Sequence, residues 1–162
     1  MRYTGGSVDS DYRRRRRGPS GWVRVAALVY AAALAVITLL PIRWNPELAR
    51  WPNNYKPQLV PFDGLLFGLK SSPLETLVEL FGNVLLFAPF GFLVPLLVPA
   101  MRRWWRVLAV AAGVSLLIEL SQIAWPSVRR ASATDVLMNA LGALLGFAAL
   151  RLTEALLGRR LR

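Results

Sequence analysis

The chain has 162 residues, a formal net charge of +11 and 55% hydrophobic content, with neither cysteine nor histidine. It is too apolar for a soluble domain of this size, and long enough for about four membrane helices at roughly 20 residues each. The missing residue types exclude disulfides, thiolate nucleophiles, zinc sites of the usual type and imidazole bases. No metal site and no cofactor is expected.

Residues 1–21 are polar and Arg-rich and read as a disordered cytoplasmic tail. The domain proper is expected over 22–158. Its first span runs from Trp22 to Leu40 and ends at Pro41. A signal peptide is the competing reading, since Arg13–Arg17 precede an apolar core. The stretch is long for that, and Pro41-Ile42-Arg43-Trp44 is a poor cleavage site.

Residues 41–75 carry six prolines among Trp44, Trp51, Tyr55, Phe62 and Phe67. Prolines break helix and aromatics favour the headgroup region. The segment reads as a loop on the membrane interface with a short amphipathic turn near Phe62–Leu69. The second span covers Leu77–Pro99 and contains Pro89 and Pro95, each inviting a kink. The third covers Arg106–Trp125 and the fourth Thr134–Leu157. The fold class is therefore all-α, an integral membrane bundle of four transmembrane helices.

The arginines set the threading. Arg13–Arg17, then Arg102, Arg103 and Arg106, then Arg159, Arg160 and Arg162 flank apolar spans, the positive-inside pattern. Both termini are then cytoplasmic, in the plasma membrane, and nucleic acid is not a partner. Arg129 and Arg130 fall outside against the rule, which points to pairing with nearby carboxylates.

A carboxylate inside hydrocarbon costs roughly 2.5 kcal/mol or more at the centre of a helix. Polar groups gathered at one depth therefore suggest a site. With this threading Glu79, Asn83, Glu119, Gln122, Asp135 and Asn139 all fall in the outer half of the membrane. Ser115, Glu119 and Gln122 make one stripe on the third span; Asp135, Asn139, Gly142 and Gly146 make one on the fourth. Gly142-x-x-x-Gly146 allows close helix approach. Packing the two stripes together would gather the polar residues.

Each residue has a plainer reading. Asn83, Gln122 and Asn139 also suit interhelical hydrogen bonds, worth about 0.6 kcal/mol on average. Asp135 also suits a cap on the fourth helix. Glu119 also suits an ion pair with Arg129 or Arg130, and Glu79 is shallow enough to snorkel outward.

Asn83-Val84-Leu85-Leu86-Phe87-Ala88-Pro89-Phe90-Gly91 resembles the N-x-x-x-F-x-P-x-G segment of the VanZ-like family. Glu119-Leu120-Ser121-Gln122 resembles its E-x-x-Q, and Arg129, Asp135, Asn139, Gly142 and Gly146 match its R…D-x-x-x-N-x-x-G-x-x-x-G block. Val60-Pro61-Phe62 is similar to a Pro-Phe element before the second helix. Spacing favours Arg129 over Arg130 as the family arginine. The acid that members often carry between that arginine and the aspartate has no counterpart in Ala131-Ser132-Ala133-Thr134. The resemblance implies a bacterial integral membrane protein with a cell-envelope role. The family is named for a protein associated with low-level resistance to teicoplanin, and it implies no settled reaction.

The leading functional expectation is a pocket in the outer leaflet for an amphiphile's head group, with membrane lipids around it. A lipid-linked wall precursor or a lipoglycopeptide such as teicoplanin would suit. Asn83, Glu119, Gln122, Arg129, Asp135 and Asn139 are its candidate binding residues. The alternative is a membrane enzyme acting on a lipid-linked envelope substrate, with Glu119 and Asp135 as general acid and base, or holding a cation with Glu79. Ion-coupled transport and a purely structural bundle are further alternatives.

Overall fold

The computed structural model describes residues 19–39, 58–124, 131–158 and 160–161. The basic tail through Gly18, residues 40–57 of the proline-rich region, and Arg129 and Arg130 lie outside the described residues. Five α-helices occur among those described: α1 Gly21–Leu39, α2 Leu65–Ser71, α3 Pro73–Leu97, α4 Trp104–Ala124 and α5 Ala133–Leu156. Four of them, all but α2, are long and apolar enough to cross a membrane. A single 3-10 turn, Pro99–Met101, joins α3 to α4.

The expected spans shift by a few residues. α3 starts at Pro73, four residues before Leu77, because Pro suits a first helical position where the N–H has no partner. The expected short turn is present but begins late. Phe62 (φ 59) and Gly64 (φ 74) take left-handed conformations, so the chain turns at 61–64 and α2 forms only from Leu65.

α3 and α5 form the tightest seam in the bundle. A Cβ on Gly142 would lie 2.2 Å from the Val84 carbonyl oxygen, and one on Gly146 would lie 1.8 Å from that of Ala88. These contacts advance by four residues in the same sense on both helices, so the two run parallel. Gly91 answers from α3, where a Cβ would meet the Ala143 carbonyl oxygen at 1.8 Å. Without side chains in between, the backbones meet directly, as small-residue packing in membranes permits. The glycines of the fourth span thus face the second span. The third span contributes elsewhere along the same helix.

At the heart of the bundle, Phe87 and Phe90 of α3 pack with Val107 and Ala111 of α4 and Ala143 of α5. Pro89 and Pro95 both lie inside α3, which continues through them. The Tyr30 hydroxyl of α1 donates to the Leu86 carbonyl at 2.9 Å, beside the Leu85 carbonyl whose helical donor Pro89 lacks. A neighbouring helix thus supplies polar contact where the proline interrupts the ladder.

Candidate functional site

Four-residue steps along the helices turn the core into a stack of layers. One turn from Phe87, Ala111 and Ala143, toward the end of the bundle that carries α2, lie Asn83, Ser115 and Asn139. One turn further lie Glu79, Glu119 and Asp135. Each of the three helices therefore reads apolar, then amide or hydroxyl, then carboxylate. Asn83, Ser115, Glu119, Asp135 and Asn139 are all buried, whereas Glu79 is exposed.

In the middle layer, Asn139 Nδ2 donates to Ser115 Oγ at 2.9 Å. That bond joins the two polar stripes predicted on the third and fourth spans. Asn83 Nδ2 and Asn139 Oδ1 are buried with no hydrogen-bond partner among the described residues. Gln122 points elsewhere: its Nε2 donates to the Thr38 carbonyl of α1 at 3.3 Å, which fits interhelical attachment.

The upper layer is organised by the start of α5. Ser132 is the N-cap, its Oγ accepting from the Thr134 N–H. The capping side chain is therefore that of Ser132, with Asp135 three residues on in the first turn. Glu119 Oε2 accepts the Ser132 N–H at 2.8 Å. Two carboxylates thus gather where the α5 macrodipole is positive.

The Val60-Pro61-Phe62 element docks on this helix start. The Gln58 N–H donates to the Ala131 carbonyl and the Ala133 N–H to the Gln58 carbonyl, each at 2.9 Å. The Phe62 N–H donates to Thr134 Oγ1 at 2.8 Å. Gln58 Nε2 also donates to the Asp63 carbonyl. Between this loop, α2, α3 and α5 opens a cavity of about 240 Å3. Asp63, Glu79 and Asp135 are its charged walls; Gln58, Thr76, Ser132 and Thr134 add neutral polar groups. Phe62, Leu65, Phe67 and Leu80 make the apolar side.

Of the candidate binding residues that are described, only Asp135 lines this cavity, together with Glu79 of the cation alternative; Asn139 lies one turn beneath it. Asn83, Glu119 and Gln122 are buried near the same end without being among its walls. Among the described residues, no group of three or more carboxylates is placed to hold a metal ion.

The order Asn83…Phe87-x-Pro89-x-Gly91, Glu119-x-x-Gln122, Asp135…Asn139…Gly142…Gly146 is thus laid onto one end and one seam of a four-span bundle. A family model for VanZ/LLP1 matches residues 27–154. The chain belongs to the VanZ/LLP1 family. Comparison with curated proteins and with solved structures returns no match.

In this VanZ/LLP1 protein the motif residues divide by task. Gly91, Gly142 and Gly146 set the α3–α5 seam, while Asn83, Glu119, Asp135 and Asn139 form the polar layers above it. Gln58, Ser132 and Thr134 shape the cavity mouth and escaped the sequence reading. For Ser132 a signal existed: Ser132-x-x-Asp135 is the spacing of a capping box.

Proposed function

We propose that this protein is a bacterial envelope protein of the plasma membrane with its α2 end outward, where the cavity binds the head group of an amphiphile. The observation that supports the reading is the cavity's division into polar and apolar walls beside an apolar rim. Leu59, Val60, Phe62, Leu66, Phe67 and Leu74 are exposed around it and continue into the exposed Val78, Phe81 and Leu85 of α3. A head group can occupy the polar side while its acyl part stays with lipid.

Asp63, Glu79 and Asp135 suit hydroxyl or amine groups, which donate to carboxylates. Lipid-linked wall precursors and teicoplanin both carry such groups on a polar head joined to a prenyl or acyl part. Arg129, outside the described residues, would meet an anionic group on the same ligand. Sequestering such a molecule is the proposed link to teicoplanin susceptibility.

Calorimetric titration of teicoplanin and of a lipid-linked wall precursor into the protein in nanodiscs tests this. At least one should bind, its form lacking the lipid part should bind more weakly, and Asp135→Asn should weaken it roughly five- to 150-fold, the range for a lost interaction of about 1–3 kcal/mol. Absence of binding by both ligands overturns the reading. The second reading, carboxylate-based chemistry on the same substrate, has one observation in its favour: Asp135 and Glu79 line one cavity. It requires conversion of the bound precursor, visible by mass spectrometry.

A further inference from the structure

The middle layer offers a recognition problem that the cavity does not. Asn83 is 5% exposed and Asn139 4% exposed, yet Asn83 Nδ2 and Asn139 Oδ1 have no partner among the described residues. A buried donor or acceptor left unmatched is destabilising, so such groups in native proteins are ordinarily met by protein, water or ligand. The two orphaned atoms are complementary in kind. One is an N–H donor, the other a carbonyl acceptor.

They also share a depth. Gly142, three residues after Asn139, abuts the carbonyl of Val84, the residue after Asn83. With α3 and α5 parallel, the two asparagines sit at about the same level. Phe87 and Ala143, one turn along from them, pack in one cluster, so both point to the junction with α4. Ser115 on α4 already takes the second arm of the Asn139 amide and fixes its plane. Turning that amide over would offer its N–H groups, not its oxygen, toward the Asn83 N–H and so would not pair the two.

We infer that Asn83 and Asn139 together form a buried subsite for one neutral group that both accepts and donates a hydrogen bond: a hydroxyl, held by Asn83 Nδ2 on its oxygen and by Asn139 Oδ1 on its proton. This rests on the proposed head-group cavity and deepens it. The carboxylate layer above selects donors; the asparagine layer below requires a group that also accepts. An ammonium group, donor only, satisfies Asn139 but not Asn83. A phosphate diester, acceptor only, satisfies Asn83 but not Asn139. The hydroxyl has two possible sources: a water molecule, or a sugar-type head group that reaches one turn past Asp135.

Side-chain amide NMR of the 15N-labelled protein in alkyl phosphocholine micelles separates them. That detergent head has no hydrogen-bond donor. The Asn83 and Asn139 side-chain signals are assigned by Asn83→Ala and Asn139→Ala. The probes are bulk water and added dodecyl maltoside, whose head is a polyol. The inference expects a rotating-frame Overhauser cross peak between the Asn83 Nδ2 protons and water, despite the burial. Loss of that peak with maltoside, together with shifts of both amides, assigns the hydroxyl to a head group. A peak that persists unchanged assigns it to water, and the pair is then a hydration site. No water peak and no maltoside shift at either asparagine overturns the inference. Should maltoside then still shift the backbone amides of Gln58 and Ser132, the head-group cavity stands without the deeper subsite.

Discussion

At the end of the bundle opposite α2, Glu154 has both carboxylate oxygens engaged. Oε1 accepts from Arg102 Nη1 at 2.8 Å and from the Leu161 N–H at 2.9 Å, and Oε2 accepts from Arg151 Nη1 at 3.1 Å. Arg102 Nη2 closes the ring on the Leu161 carbonyl at 2.6 Å. At the α2 end, Asn83 and Asn139 each keep one buried atom without a partner among the described residues, under a cavity walled by carboxylates. Buried polar groups that satisfy one another rigidify a fold; those left with spare capacity can receive something else. On the proposed function, the Glu154 end is architecture and the α2 end is the recognition end.

The seam that joins the two ends should give the largest effect. Gly146→Leu drives a side chain into the Ala88 carbonyl, already 1.8 Å from a bare Cβ. Backbone on both sides leaves no flexible atom to move, so α3 and α5 must separate. The variant should lose its monodisperse peak in detergent by size exclusion, whatever the ligand.

Breaking the satisfied end comes next. Glu154→Ala strands the Arg102 guanidinium and frees the Leu161 backbone. Removing one partner of a buried pair costs about 3–5 kcal/mol, and Arg102, 18% exposed, puts this case toward the lower value. Thermal unfolding in detergent should shift accordingly, while ligand affinity of the protein that remains folded should not change. A loss of affinity without a loss of stability would merge the two ends into one functional unit.

Much of this bundle was legible in the residues, and particular ones show where legibility stopped. Four spans follow from hydropathy and length, and the end of the first from Pro41, whereas α3 starts at Pro73, four residues ahead of the expected Leu77. Gly142-x-x-x-Gly146 announced close packing, but the stripe pairing aimed it at the third span, whereas its glycines meet Val84 and Ala88 of the second, and Gly91, embedded between two prolines, answers at Ala143. The gathering of Asn83, Ser115, Glu119, Asp135 and Asn139 at one end followed from chain direction and four-residue spacing. The clasp did not. Arg102 read as a topological charge, and nothing local connects it to Glu154, 52 residues away. The docking of Gln58 on Ala131 and Ala133 runs through backbone groups, which every residue has, so no sequence pattern marks it. Where Arg129 contributes lies outside the described residues.

A smaller effect sharpens the comparison within the α2 end. Ser132→Ala removes the N-cap of α5, worth about 1 kcal/mol, yet leaves the backbone N–H that Glu119 accepts. Stability should fall by that amount, and the calorimetric titration should show only a modest loss of binding. A collapse of binding at near-native stability would make Ser132 a direct contact, since it lines the cavity.

The claim that the α2 end faces outward and holds a ligand can be tested in one labelling measurement, because the chain has no cysteine of its own. Asp63→Cys, at the exposed wall of the cavity, and Gly158→Cys, beyond α5 at the other end, each give a single thiol. A membrane-impermeant maleimide should label Asp63→Cys in intact cells, and teicoplanin or the lipid-linked precursor should slow that labelling. Gly158→Cys should react only after permeabilisation. Labelling of Gly158→Cys in intact cells with Asp63→Cys silent, or labelling of Asp63→Cys that neither ligand slows, contradicts the account.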